Sequence, residues 1–307
     1  MQKVIISGAD GFVGSYTTNY FLNQGVEVLA LGRKKQPCRL QKRDGLQYVS
    51  CDVFNPQELE KCLPSGEYDA FLHFAWVGSA GEERMNYQLQ MRNVIGTVEC
   101  MKIAHSKGCK RFVGAGSIME YEAEAAVHKQ ESRPGMAYIY GMAKQTAHSI
   151  CKSVANQIGI EFVWPMITNA YGVGEMSPRF INTTLRKMIH NEPLEFTAAT
   201  QNYDFVYITD VAKAFYLVTL QGIPFCEYMI GSGHAKQLRE FILQIQQALA
   251  PHNQPLFGNV PFTGTTLPLE VYSIKDIEKD CGYVAEVDIV EGARKTMQWL
   301  REMERAE

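Results

Sequence analysis

The stretch Lys3-Val4-Ile5-Ile6-Ser7-Gly8-Ala9-Asp10-Gly11-Phe12-Val13-Gly14 decides the fold of this chain. A strand-forming run leads into three glycines spaced G-x-x-G-x-x-G, and a helix-period segment continues from 12 to 24. Glycines at such a turn permit a tight strand-to-helix reversal. They also let a pyrophosphate approach backbone N–H groups at a helix N-terminus. Alone, the turn is only a strand–helix loop; its place at the head of a repeating pattern makes it a dinucleotide site. Short apolar runs at 27–31, Leu46–Ser50, 70–74, 111–115 and 160–165 alternate with amphipathic stretches, as βαβ units do. Met91, Val94, Ile95, Val98 and Met101 form one helical stripe, and Ala143, Ala147, Ile150, Cys151, Val154 and Ile158 another. The pattern predicts an α/β fold: a Rossmann-type doubly wound parallel sheet over residues 1–165. Beyond Pro165 the rhythm loosens, with prolines at 178, 193, 224, 251, 255, 261 and 268. A smaller C-terminal substrate-binding lobe is expected over 166–307, part of which returns to the sheet.

Composition agrees. The chain has 307 residues, about two domains' worth at ~150 each. Lys and Arg number 30 against 33 Asp and Glu, so no basic stripe marks a nucleic-acid binder. Apolar runs are strand-length, short of the ~20 residues a membrane helix needs, so no membrane partner is expected. The first strand begins at Lys3 without a leader, which reads as a cytoplasmic protein. The eight cysteines show no Cys-x-x-Cys pair and no histidine at zinc-finger spacing, so reduced thiols and no metal are expected.

The end of the second strand distinguishes the dinucleotides. An acid there would bond the ribose 2′-OH of NAD, whereas an arginine accommodates the 2′-phosphate of NADP. Here the strand ends Leu31-Gly32-Arg33-Lys34-Lys35 with no acid. NADP(H) is favoured with Arg33 on the phosphate, and NAD(H) is the alternative.

Tyr140 and Lys144 stand four apart, on one face of a helix. Ser117 follows the fifth strand in Gly114-Ala115-Gly116-Ser117, at the carboxyl end of the sheet where ligands bind. A serine can hydrogen-bond a substrate carbonyl, and a phenol can give it a proton. A neighbouring ammonium lowers the phenol's pKa by stabilising the phenolate.

These motifs together resemble the extended short-chain dehydrogenase/reductase family, the NAD-dependent epimerase/dehydratases of nucleotide sugars. The resemblance spans the chain. Its serine segment is Ser117-Ile118-Met119-Glu120-Tyr121, and its Tyr-x-x-x-Lys runs from Tyr140 to Lys144. It implies a catalytic set of Ser117, Tyr140 and Lys144, with Lys144 also on the nicotinamide ribose. It implies cofactor contacts from Gly8, Asp10, Gly11, Phe12, Val13 and Gly14, and from Asp52 and Val53 at the adenine. Phe74 and Ala75 belong to the loop after strand four, and Asn93 to the Asn-Val-x-Gly-Thr segment. Tyr121, Asn169 and Arg179 are implied on the substrate side, Tyr121 as a pocket wall. Asn169-Ala170-Tyr171-Gly172 and residues 204–211 resemble two further signatures of that side.

Departures narrow the activity. Trp164 and Tyr203 stand where family members often carry arginine, and the second of those commonly clamps the nucleotide diphosphate. Arg179, Arg186 and Lys187 are the candidate substitutes. Glu120 is a single carboxylate out of register with the Asp-Glu pair of 4,6-dehydratases, which argues against dehydration. The reading is an oxidoreductase reducing the 4-keto group of a nucleotide-linked 4-keto-6-deoxyhexose, resembling the family's 4-reductases. A 4-epimerase with tightly bound NAD is the alternative, and a nucleotide-binding regulator without catalysis a third. Gln88, Met91, Ile95, Met101, Met142 and Ile150 cannot all face one sheet, so some must meet solvent or a partner. The resemblance implies a homodimer in which the two helices near 86–106 and 138–158 of each subunit form a four-helix contact.

Overall fold

The computed structural model describes residues 1–306. Seven parallel strands form one sheet: β1 (Lys3–Ser7), β2 (Glu27–Gly32), β3 (Leu46–Ser50), β4 (Ala70–His73), β5 (Arg111–Gly114), β6 (Glu161–Ile167) and β7 (Glu227–Ile230). Their spatial order is 3-2-1-4-5-6-7, and a two-residue strand, Gly116–Ser117, pairs with β6. The order reverses between β1 and β4. That reversal opens a crevice at the carboxyl ends of the strands, where α/β sheets bind ligands.

Alternation along each strand feeds two cores. Val4, Ile6, Val28, Ala30, Leu72, Val113 and Val163 face one side, covered by α1 (Phe12–Asn23) and α7 (Ile208–Gln221). Ile5, Leu29, Phe71, Phe112, Phe162 and Trp164 face the other. There α3 (Tyr87–Ser106) and α5 (Ile139–Ile158) pack side by side. Burial on both faces explains why these strands read as continuous apolar runs.

β6 runs past Pro165 to Ile167, two residues beyond the expected end. Proline's fixed φ suits extended backbone, and only its N–H is missing from the ladder. Met166 and Ile167 pair with both Gly116–Ser117 and β7. The expected return to the sheet is made by β7 and α7, so residue 165 is not a clean boundary. The smaller lobe gathers α6 (Phe180–Ile189), α8 (Leu238–Leu249) and α10 (Ile289–Ala306). Asp204, fully buried, joins the lobes by accepting from Thr168 Oγ1 at 3.0 Å and the Ser232 backbone N–H at 2.8 Å. No helix among the described residues is long and apolar enough to cross a membrane.

Candidate active site

The glycine turn is sterically obligatory. Gly8 has φ +67°, and a Cβ there would lie 2.7 Å from the Ala75 nitrogen; at Gly14 a Cβ would lie 2.1 Å from the Gly8 oxygen. α1 can therefore start hard against the loop after β4. Its N-cap is Gly11, and no acidic side chain occupies its first turn, leaving the amides and the positive end of the dipole facing the crevice. A cleft of about 410 Å³ runs from Gly8, Gly11, Phe12, Val13 and Gly14 to Ser117, Tyr140 and Lys144. A second cavity of about 280 Å³ continues it past Asp10, Arg33, Lys34, Asp52, Val53, Phe74 and Ala75. An uncovered helix N-terminus on a cradle that a single Cβ would fill fits a dinucleotide pyrophosphate.

Two expected cofactor residues behave differently. Asn93 is buried, donating to the Val77 carbonyl at 2.8 Å and accepting from the Val77 N–H at 3.1 Å. Its amide is fully engaged in holding the loop after β4, and it does not line the cleft. Asp10 lines the second cavity, but one carboxylate oxygen accepts from the backbone N–H groups of Cys38 and Arg39 at 2.8 and 2.7 Å. It thereby seats Arg39, which donates to the Gly174 carbonyl at 2.6 Å and lines the cleft. Arg39 lies in an irregular loop with no periodicity to flag it.

At the far end of the cleft, Tyr140 and Lys144 occupy one buried face of α5, and Ser117 lines the same cleft beside them. Lys144 donates to the Ala115 carbonyl at 2.8 Å, and its ammonium lies 3.8 Å from the Trp76 ring centre. Burial pushes Lys144 down to about 7, with the Glu120 carboxylate acting the other way. Burial raises Tyr140, and the charges opposing that rise come from Arg179 and Arg84. His73 is a strut, bonded to Ser7 Oγ at 2.8 Å and Thr97 Oγ1 at 3.1 Å, and burial holds it neutral by pushing it down to about 3.

Glu120 organises the serine segment. Its Oε1 accepts from the Ser117 N–H at 2.9 Å and the Trp164 indole N–H at 3.0 Å, and its Oε2 lies 3.2 Å from His148 Nδ1. Trp164 stacks on His148, with ring centres 5.1 Å apart.

A further pocket, about 260 Å³, is lined by Ser117, Tyr140, Asn169, Arg179, Tyr203 and Arg84 among others. Of the three substitute cations, Arg179 faces this pocket. Arg186 is tied to Glu304 at 2.7 Å, and Lys187 lies outside the pocket. Asn169 donates to the Asp204 carbonyl at 3.0 Å from the pocket wall. Tyr121 is not in the wall. α4 (Met119–Val127) begins two residues after Ser117, and its turn carries Tyr121 into a separate cavity beside Glu124, His148 and Lys152. Elsewhere, folding unites one donor trio that sequence spacing does not show. Cys51, Glu58 and Cys62 place ligand atoms within 4.8 Å of one another, while burial pushes the Cys51 thiol up.

A model of the NAD dependent epimerase/dehydratase family matches residues 4–231. A UDP-glucose 4-epimerase of Pisum sativum is 22% identical, covering 98% of this chain and 96% of that protein. A CDP-abequose synthase of Salmonella muenchen is 23% identical over 96% and 97%. Among solved structures, the UDP-glucose 4-epimerase of Thermotoga maritima with UDP-glucose superposes with a TM-score of 0.79 at 16% identity, covering 99% of this chain and 100% of that one. The Bordetella bronchiseptica enzyme WbmF with NADH gives 0.79 at 21% identity over 99% and 93%.

Proposed function

The chain belongs to the NAD dependent epimerase/dehydratase family, and from that premise we propose that it is an NADPH-dependent reductase of the 4-keto group of a nucleotide-linked 4-keto-6-deoxyhexose. The observation that carries the cofactor choice is the end of β2. Arg33 and Lys34 line the adenosine-side cavity with Asp52 and Val53, and no acid stands at the strand end to bond a ribose 2′-OH. A 2′-phosphate suits these two cations through charge-assisted hydrogen bonds. The amides of residues 12–14 would hold the pyrophosphate, while the Gly11 N–H donates to the Gly8 carbonyl at 2.9 Å, and Lys144 would hold the nicotinamide ribose.

The bound cofactor supplies a hydride to C4. Ser117 orients the substrate carbonyl and stabilises its developing charge, and Tyr140 gives its hydroxyl proton to that oxygen, completing a C–H and an O–H bond. Asn169 and Arg179 bind the nucleotide-sugar side, Arg179 taking the diphosphate. The exposed Tyr87, Met91, Ile95 and Ile150 on α3 and α5 support a homodimer through these helices. Met101 is buried and Met142 half-buried, so they drop out of the expected surface.

A second reading, a 4-epimerase retaining NAD, draws support from the pea relative and from the NADH complex of the WbmF neighbour. Loss of NADPH absorbance with a panel of nucleotide-linked 4-keto sugars separates the two. Stoichiometric oxidation of NADPH with one of them supports the reductase. Interconversion of 4-epimers by the protein as purified, without added cofactor, supports the epimerase.

A further inference from the structure

Arg84 is a pocket cation beside the reacting phenol that the sequence does not single out. It sits in the 3₁₀ turn Gly81–Met85, between β4 and α3. That turn is built to hold it. Gly78 and Gly81 take positive φ, at 71° and 64°, and the buried Gln90 donates to the carbonyls of Gly78 at 2.8 Å and Glu83 at 3.1 Å. Gln90 in turn accepts from the Trp76 indole at 2.7 Å. The guanidinium carbon lies 4.6 Å from the centre of the Tyr140 ring. Its Nε is shielded from solvent and has no hydrogen-bond partner among the described residues.

We propose that Arg84 is a second cation of the reacting centre, stacked on Tyr140 to position its ring and stabilise the phenolate left when the proton is transferred. The inference rests on Tyr140 as the proton-transfer group, and holds for either direction of hydride transfer. A guanidinium over an aromatic face is attracted by the ring's negative quadrupole, and more strongly once the ring carries a charge. Burial disfavours the Arg84 cation itself, which makes its placement against a neutral phenol costly unless the phenolate forms. The other charges facing Tyr140 are Arg179 across the pocket, Glu120 on α4 and Lys144 one turn along α5. Arg179 is already engaged, its Nε 3.4 Å from Glu175, and Lys144 bonds the Ala115 carbonyl. Arg84 forms no ion pair within 4.0 Å among the described residues. In this respect it differs from Arg179. Glu122, a carboxylate that influences it, is pushed up to about 7 by burial.

The test reads the phenol directly. With 3,5-difluorotyrosine, a more acidic phenol, installed at position 140 of the full chain, the ¹⁹F resonance is followed through a pH titration in Arg84→Met, Arg84→Lys and otherwise unchanged protein. Arg84→Met should raise the midpoint by about one pH unit, the low end for loss of an opposite charge at ~4–6 Å, and Arg84→Lys should recover most of it. An unchanged midpoint in folded Arg84→Met protein overturns the proposal. So does a rise in KM with no midpoint shift, since Arg84 would then act on substrate alone. The titration involves no sugar substrate. A shifted midpoint alongside failure to oxidise NADPH with any 4-keto sugar would reject the reductase reading while leaving Arg84's role intact.

Discussion

Glu120 offers the sharpest stability test of the site's architecture. It is 4% exposed, and one oxygen accepts from both the Ser117 N–H and the Trp164 indole N–H. Glu120→Ala removes the acceptor and leaves two buried donors unpaired, each costing ~1–3 kcal/mol. The total, about 2–6 kcal/mol, is a large share of the ~5–15 kcal/mol that holds a typical protein folded. Glu120→Gln keeps a carbonyl oxygen for the same two donors, turns the atom facing His148 Nδ1 from acceptor to donor, and loses the added strength of an ionised acceptor, about 1 kcal/mol. Urea denaturation of all three proteins at one pH reads the difference as midpoints. The alanine variant should unfold at clearly lower urea than the glutamine variant, which should stay close to the parent. Equal midpoints for alanine and parent would refute the buried-acceptor argument. A glutamine variant as weak as alanine would show that the charge, rather than the hydrogen bonds, matters.

Further outcomes follow from the same site. Tyr140→Phe should lower turnover at least ~100-fold while cofactor affinity stays near that of the parent, as steady-state kinetics and calorimetric titration would show. Arg33→Asp should weaken NADPH more than NADH, by turning a charge-assisted contact into a repulsion; tighter binding of NADH than NADPH by the parent contradicts the cofactor choice. Sedimentation equilibrium should give twice the 34.6 kDa chain mass, and a value near the single chain would reject the α3–α5 dimer.

The sheet was legible because its signals are local. A glycine turn after β1 and a period that switches between strand and helix need no tertiary information. Tyr140 and Lys144 were legible for the same reason, since four residues along a helix define one face. Tyr121 was misplaced because the motif was read by spacing alone, while the start of α4 at Met119 rotates that side chain into another cavity. Asn93 lies on the expected segment, but the neighbouring Val77 backbone takes both ends of its amide, a pairing set by how loop and helix pack. Arg39 sits in an irregular loop and Arg84 in the short 3₁₀ turn, and only folding brings the first to Gly174 and the second over Tyr140. Local sequence carries no period for either.

The central claim is net hydride transfer from NADPH to C4 with a proton from Tyr140. Its most direct test uses NADPH carrying deuterium on the transferable C4 position, prepared separately for each face of the ring, with a nucleotide-linked 4-keto-6-deoxyhexose. One of the two labelled forms should deliver one deuterium to C4 of the sugar per NADPH consumed, seen by mass spectrometry and NMR of the product. Turnover of a 4-hydroxy sugar to its epimer, with no deuterium gained and no NADPH consumed, would contradict it.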